Sequence, residues 1–193
     1  MRNTRLIMAI AAAGMMYGSA ALAAGSTTAG PFATGKILFT GKINDAPCDV
    51  STLDSQITVG FGSISQKHFK AKGDVTDSQP FTIHLKNCSF DAATSAGAIP
   101  LSKVTIAFNS EAGVVDKTNH DWDSIGSANN VGVQLLQSDN HTIIEPDTAS
   151  VDIATPLNTG DNSLNFFARL VSTDASVTPG DINVALAYTL TYK

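Results

Sequence analysis

Cysteine is scarce in this chain, with 2 residues in 193, and tryptophan scarcer, with 1. Positive charge is thin as well: 12 basic residues stand against 17 acidic ones, and no Lys/Arg cluster occurs anywhere. A chain without a basic patch has no electrostatic hold on nucleic acid or on an anionic membrane surface. The four histidines, His68, His84, His120 and His141, form no H-x-H or H-x-x-x-H pair, so the usual two-histidine metal spacing is missing. No G-x-S-x-G elbow is present, and Gly60-Phe61-Gly62 is a lone G-x-G with no helix to follow it, so neither a serine nucleophile nor a phosphate cradle is indicated. Asp121-Trp122-Asp123 has the composition of a calcium or sugar site but reads better as a solvated loop with one anchoring aromatic. These absences point away from an enzyme, a small-molecule substrate, a cofactor and a metal. No window beyond the N-terminal segment shows a helical stripe, and there is no internal repeat.

What is present begins with a leader. Arg2 and Arg5 precede an apolar run from Leu6 into the alanines, and Ala21-Leu22-Ala23 supplies small residues for cleavage, the layout of a secretory signal over residues 1–23. Gly14, Gly18 and Ser19 interrupt the run and no second apolar span follows, which disfavours a membrane anchor. About 170 residues remain, enough for one domain and short for two. Without Arg2 and Arg5 the balance is 10 basic against 17 acidic residues, a net charge of −7 that speaks to solubility only. In an exported chain the lone pair Cys48 and Cys88 is expected to form one disulfide. In the chain-entropy model, closing that loop stabilises the fold by about 4 kcal/mol.

The mature chain is dominated by period two. Ile37, Phe39 and Ile43 alternate with Lys36, Leu38, Thr40 and Lys42, and Phe81, Ile83 and Leu85 with Thr82, His84 and Lys86; Val104, Ile106 and Phe108, then Val131, Val133 and Leu135, follow the same rule. Leu164, Phe166, Ala168 and Leu170 share one face opposite Asn165 and Arg169; Ile57–Phe61 and Thr142–Glu145 are weaker strands. Loops rich in Gly, Ser, Asn, Asp and Pro separate them, at Asp91–Pro100, Asp123–Asn130 and Thr173–Asp181. About seven short strands at this spacing predict an all-β sandwich of immunoglobulin-like type. Cys88 has the wrong parity for the face of Phe81, Ile83 and Leu85. Either a bend near Asn87 or a disulfide on the outer side of the sheet would resolve this.

The two ends of the mature chain look complementary. Ile182, Val184, Leu186, Tyr188, Leu190 and Tyr192 occupy alternate positions of a last strand with nothing after Lys193 to cover its edge. Such an edge invites another strand. At the other end, residues 24–34 are small and polar, a tail with little power to form a core. If extended, it sets Thr28, Gly30 and Phe32 on one face. A loose tail and an open edge together imply β-strand addition between copies.

The stretches Gly35–Gly41 (GKILFTG), Ala46-Pro47-Cys48, Ile57–Gly62, Phe81–Cys88 (FTIHLKNC), Val104–Asn109, Asn130–Leu136 (NVGVQLL), Asn165–Arg169 and the Tyr188–Tyr192 ending resemble, in order and spacing, the pilins of the chaperone–usher pathway, specifically type 1 fimbrial major subunits. The resemblance spans essentially the whole mature chain. It implies an incomplete sandwich over residues 35–193 that lacks its C-terminal strand and takes a donor strand from another chain. A periplasmic chaperone would supply that strand first, and the 24–34 extension of the next subunit would replace it after passage through an outer-membrane usher. Leu186, Tyr188, Leu190 and Tyr192 would then line one wall of the acceptor groove, with Ile37 and Phe39 opposite, and Thr28, Gly30 and Phe32 as the donor face. Pro31 cannot donate a ladder hydrogen bond and belongs at the edge of the inserted stretch. The implied function is a structural subunit of an adhesive surface fimbrium, partnered by further copies and related subunits. A minor adaptor or terminator of the same fibre is the alternative, and a carbohydrate-binding adhesin a more distant one.

Overall fold

The computed structural model describes residues 35–90, 101–146 and 151–193, the stretch 151–155 by its backbone alone. The leader 1–23, the tail 24–34 with Thr28, Gly30 and Phe32, and the loop over 91–100 lie outside the described residues. The chain divides into two units, Met1–Lys42 and Ile43–Lys193. In the first, residues 35–42 carry no regular secondary structure, and Ile37 and Phe39 are 77% and 87% exposed. The strand expected over Ile37–Ile43 is therefore not formed. Alternation supplies an apolar face, but a strand also needs a backbone neighbour, and among the described residues none pairs with these.

Among the described residues the second unit holds ten strands. They are β1 (Asp49–Val50), β2 (Gln79–Cys88), β3 (Lys103–Ala112), β4 (Val114–Asp116) and β5 (Asp121–Asp123), followed by β6 (Val131–Leu136), β7 (Ile143–Ile144), β8 (Val151–Pro156), β9 (Gly160–Ser172) and β10 (Ala185–Tyr192). A seven-stranded sheet runs β1-β2-β9-β6-β5-β4, with β7 also on β6, and a three-stranded sheet runs β10-β3-β8. Every pairing is antiparallel.

The alternation explains the core. Ile83 and Leu85 of β2, Val104 and Ile106 of β3, Val133 and Leu135 of β6, and Leu164, Phe166 and Leu170 of β9 are all buried. Phe166 stacks on Phe81 at 5.5 Å and meets Phe108 edge-on at 5.5 Å, which ties the two sheets together. β6 is buried along its whole length, with β9 on one edge and β5 and β7 on the other. Its outward Gln134 is satisfied there, donating to Asn119 O at 2.9 Å and accepting from Arg169 Nε at 3.0 Å.

The parity of Cys88 is settled by a bulge. Asn87 adopts φ 52° and the β2–β9 register breaks between Leu85 and Cys88, turning Cys88 into the core at 2% exposure. Asparagine tolerates this left-handed conformation better than most residues. Its Nδ2 donates to Asp49 Oδ2 at 2.9 Å, holding the bulge against β1. Cys48 and Cys88 are joined by a disulfide that fastens the approach to β1 onto the end of β2.

The last strand is shorter than its alternation. Residues 181–183 are bound to the loop 124–128 instead: Ile125 N–H donates to Asn183 O, Ala128 N–H to Asp181 O, and the Asn183 and Asp181 N–H groups to Ser124 Oγ and Ser127 Oγ. Gly126 permits this approach, since a Cβ there would stand 2.0 Å from Asp181 O. Gly126→Ala should therefore push the lead-in to β10 off its seat and cost about 1–3 kcal/mol. The midpoint of denaturant unfolding, measured on the assembled chain, checks this.

Candidate binding groove

β10 hydrogen-bonds to β3 along one edge, and its sheet ends there, so among the described residues no strand pairs with its other edge. Across from it runs the segment 56–62. Ile57, Val59 and Phe61 are half-buried against the core while Gln56, Thr58, Gly60 and Gly62 are exposed, the burial rhythm of a strand. Yet the segment is in no ladder, and among the described residues no backbone–backbone hydrogen bond involves residues 56–64. Apolar side chains hold it on the core, but no neighbouring backbone completes it.

Between these two edges lies a groove of about 1430 Å³. Its walls are residues 54–64 and 181–188, and its floor is the inner face of the sandwich, including Phe81, Ile83, Phe108, Val133 and Leu170. Hydrogen bonds link the two sides of the groove at two points, one between the walls and one just beyond them. Tyr188 Oη donates to Asp54 O at 3.0 Å, and Gln66 Nε2 donates to Val177 O at 2.6 Å. Asp54 thus lies near Tyr188 and Gln66 near Val177, so the walls run in opposite directions along the groove. Any strand laid between them is parallel to one wall and antiparallel to the other.

The Asp54 end is firmly built. Ser51 Oγ caps the short 3₁₀ turn Thr52–Ser55 by accepting the Leu53 N–H at 3.3 Å. The buried Asp54 carboxylate accepts the His84 N–H at 2.6 Å, with His84 Nδ1 at 3.1 Å. Burial, and then the Asp54 charge, raise the Tyr188 hydroxyl pKa, which keeps it protonated as the donor to Asp54 O.

Leu186 and Tyr188 line this groove. Leu190 and Tyr192 lie farther along β10, half-buried against the core. Burial raises the pKa of the Tyr192 hydroxyl, whose oxygen is enclosed without a hydrogen-bond partner among the described residues. Opposite β10 the groove is walled by residues 54–64; Ile37 and Phe39, expected as that wall, belong to the first unit, where both side chains are exposed. The alternation of Ile57, Val59 and Phe61 was the available signal, and it reads as an ordinary strand until its missing partner is seen. Asp121-Trp122-Asp123 is likewise strand β5 rather than a solvated loop, and Trp122 is 0% exposed, so it offers no face on which a sugar could stack.

The family model described as fimbrial protein matches residues 37–193. The chain is 31% identical to the fimbrial subunit type 1 of Salmonella typhimurium, over 97% of this chain and 98% of that one. It is 34% identical to long polar fimbria protein A of Salmonella typhimurium, over 93% and 96%. Among solved structures, a chaperone–usher pilus analysed for rod uncoiling superposes with a TM-score of 0.68 at 24% identity, covering 84% of this chain and 98% of that one. The P pilus rod subunit PapA gives 0.65 at 22% identity, covering 77% and 100%. These two show the fold, an all-β pilin sandwich short of one strand. The chain belongs to the fimbrial protein family, as a structural subunit exported to the cell surface to form part of a fimbrium.

Proposed function

We propose that this chain polymerises by strand exchange, its groove receiving an extended segment from the next copy in the fibre. The observation that carries the reading is the pair of unpartnered edges, residues 56–62 and β10, flanking a single apolar floor. An inserted strand would hydrogen-bond on both sides while its alternate residues cover Phe81, Phe108 and Val133, the usual physics of β-augmentation. The donor is the tail 24–34, entering with Thr28, Gly30 and Phe32 toward the floor and Pro31 at the margin of the paired stretch.

Before assembly, a periplasmic chaperone fills the groove, gripping β10 by strand pairing, and an outer-membrane usher passes the subunit to the fibre. The role is mechanical and uses no catalysis, cofactor or small-molecule substrate. Within the fibre we assign the chain to the shaft; copy number per purified fibre distinguishes a shaft subunit from an adaptor or terminator.

The test is expression of the mature chain in the periplasm with and without its chaperone. Without it, the chain should aggregate or be degraded, because an exposed apolar trough with two free edges templates association. A soluble, stable monomer in the absence of chaperone and donor would overturn the reading.

A further inference from the structure

A second feature lies on β4 and β5. Asp116 ends β4, Asp121 and Asp123 begin and end β5, and one oxygen from each carboxylate lies within 4.8 Å of the other two. The register explains the gathering: Asp116 sits opposite Asp121, and Asp123, two residues on, shares the face of Asp121. Asp116 is already positioned, accepting the N–H groups of Thr118 at 2.7 Å and Asn119 at 3.1 Å and the Asn119 side chain at 2.5 Å.

Asp121 is different. It is 0% exposed, and neither of its carboxylate oxygens has a hydrogen-bond partner among the described residues. Nor is it there by loose packing. A Cβ at residue 132 would stand 2.3 Å from Asp121 Oδ2, so Gly132 leaves the room in which the carboxylate sits. Buried carboxylates are normally hydrogen-bonded, paired or bound to a metal. Burial first, and then the charges of Asp123 and Asp116, push its pKa up to about 7, against the opposing pull of Lys72 and His120.

We propose that Asp116, Asp121 and Asp123 form a binding site for one calcium-sized divalent cation, which would join β4 to β5. Three carboxylates make a hard, all-oxygen donor set of the kind calcium takes. Ligand distances of about 2.3–2.6 Å place two oxygens on one ion up to about 5 Å apart, which accommodates the observed spacing. The cation supplies what Asp121 lacks, a partner for a charge enclosed by protein.

The experiment uses the full chain purified as cell-surface fibres, stripped with a chelator and titrated with Ca²⁺ alone. One ion per subunit should bind with a Kd on the order of 0.1–1 mM, the range of extracellular calcium modules. Tb³⁺ should replace it and luminesce on excitation of Trp122, the chain's 1 tryptophan and the residue between two of the ligands. Asp121→Asn should weaken binding by about tenfold or more, a loss typical of disturbed metal sites. Should that variant fail to assemble, Asp123→Asn, at a partly exposed position, should show the same loss in intact fibres. Absence of Ca²⁺ binding up to about 10 mM, well beyond that range, overturns the proposal. So does binding that both substitutions leave unchanged.

Discussion

A chain lacking residues 24–34 should still be captured by its chaperone and accumulate in the periplasm, but fibres should disappear from the cell surface. The deletion leaves the groove and the ten described strands in place, so on the proposed strand exchange what it removes is the occupant for a neighbour's groove. Milder changes separate the contributions. Burying one phenylalanine side chain contributes about 1.5–3 kcal/mol, so Phe32→Asp should lower fibre yield severely while leaving the donor's own sandwich folded. Gly30→Leu should cost about 1–3 kcal/mol through overpacking wherever the tail presses on the aromatic floor of Phe81 and Phe108. Electron microscopy and resistance of fibres to mild detergent read both effects. Long, normal fibres from the tail-deleted chain would refute strand exchange by this segment.

Loss of the disulfide should be nearly as damaging. Cys48 and Cys88 are 4% and 2% exposed and close a loop with a sequence separation of 40. Cys48→Ser removes that constraint and leaves a buried thiol at Cys88, for an expected loss of about 2–5 kcal/mol. Beyond stability, the loop contains the 54–64 wall, so a loosened Cys48 frees one side of the groove. The expected result is a sharp fall in the amount of chaperone-bound chain. Thiol labelling of wild-type fibres should find neither cysteine reactive. Wild-type fibres with free thiols, or a Cys48→Ser chain of unchanged abundance and unfolding midpoint, would contradict this.

How far these features could be read in advance depends on whether their cause is local. Burial of Ile83, Leu85, Val104, Ile106, Val133, Leu164 and Phe166 follows from alternation, because the strand's pleat decides which side chains share a face. The oddity at Cys88 was also visible as a parity conflict, and Asn87 is the residue that resolves it. Backbone partners are a different matter. Ile37–Ile43 and Ile57–Phe61 show the same rhythm, yet among the described residues neither is in a ladder; the apolar positions of the second are half-buried, those of the first exposed. No local pattern carries that distinction. The β4–β5 pair escaped notice because its strands are 3 residues each, too short for a period to show. Asp121-Trp122-Asp123 reads as surface from its charges, whereas Trp122 is drawn into the core opposite Val133 and takes Asp121 under cover with it.

The topology of the smaller sheet also sets a clock. Its central strand β3 begins at Lys103, but its neighbours β8 and β10 begin at Val151 and Ala185. The pairing of Thr105 with Thr191 spans 86 positions. Contacts so distant in sequence form slowly, since the intervening chain must be ordered before they are rewarded. A polypeptide delivered N-terminus first cannot finish this sheet until residue 192 has crossed, by which time the strands of the larger sheet, β3 and β8 have all emerged while β10 is still to pair. The dangerous interval is therefore fixed by the order of delivery as much as by the missing strand. The proposed chaperone would then have to engage this subunit while the chain is still arriving, not only once it has folded.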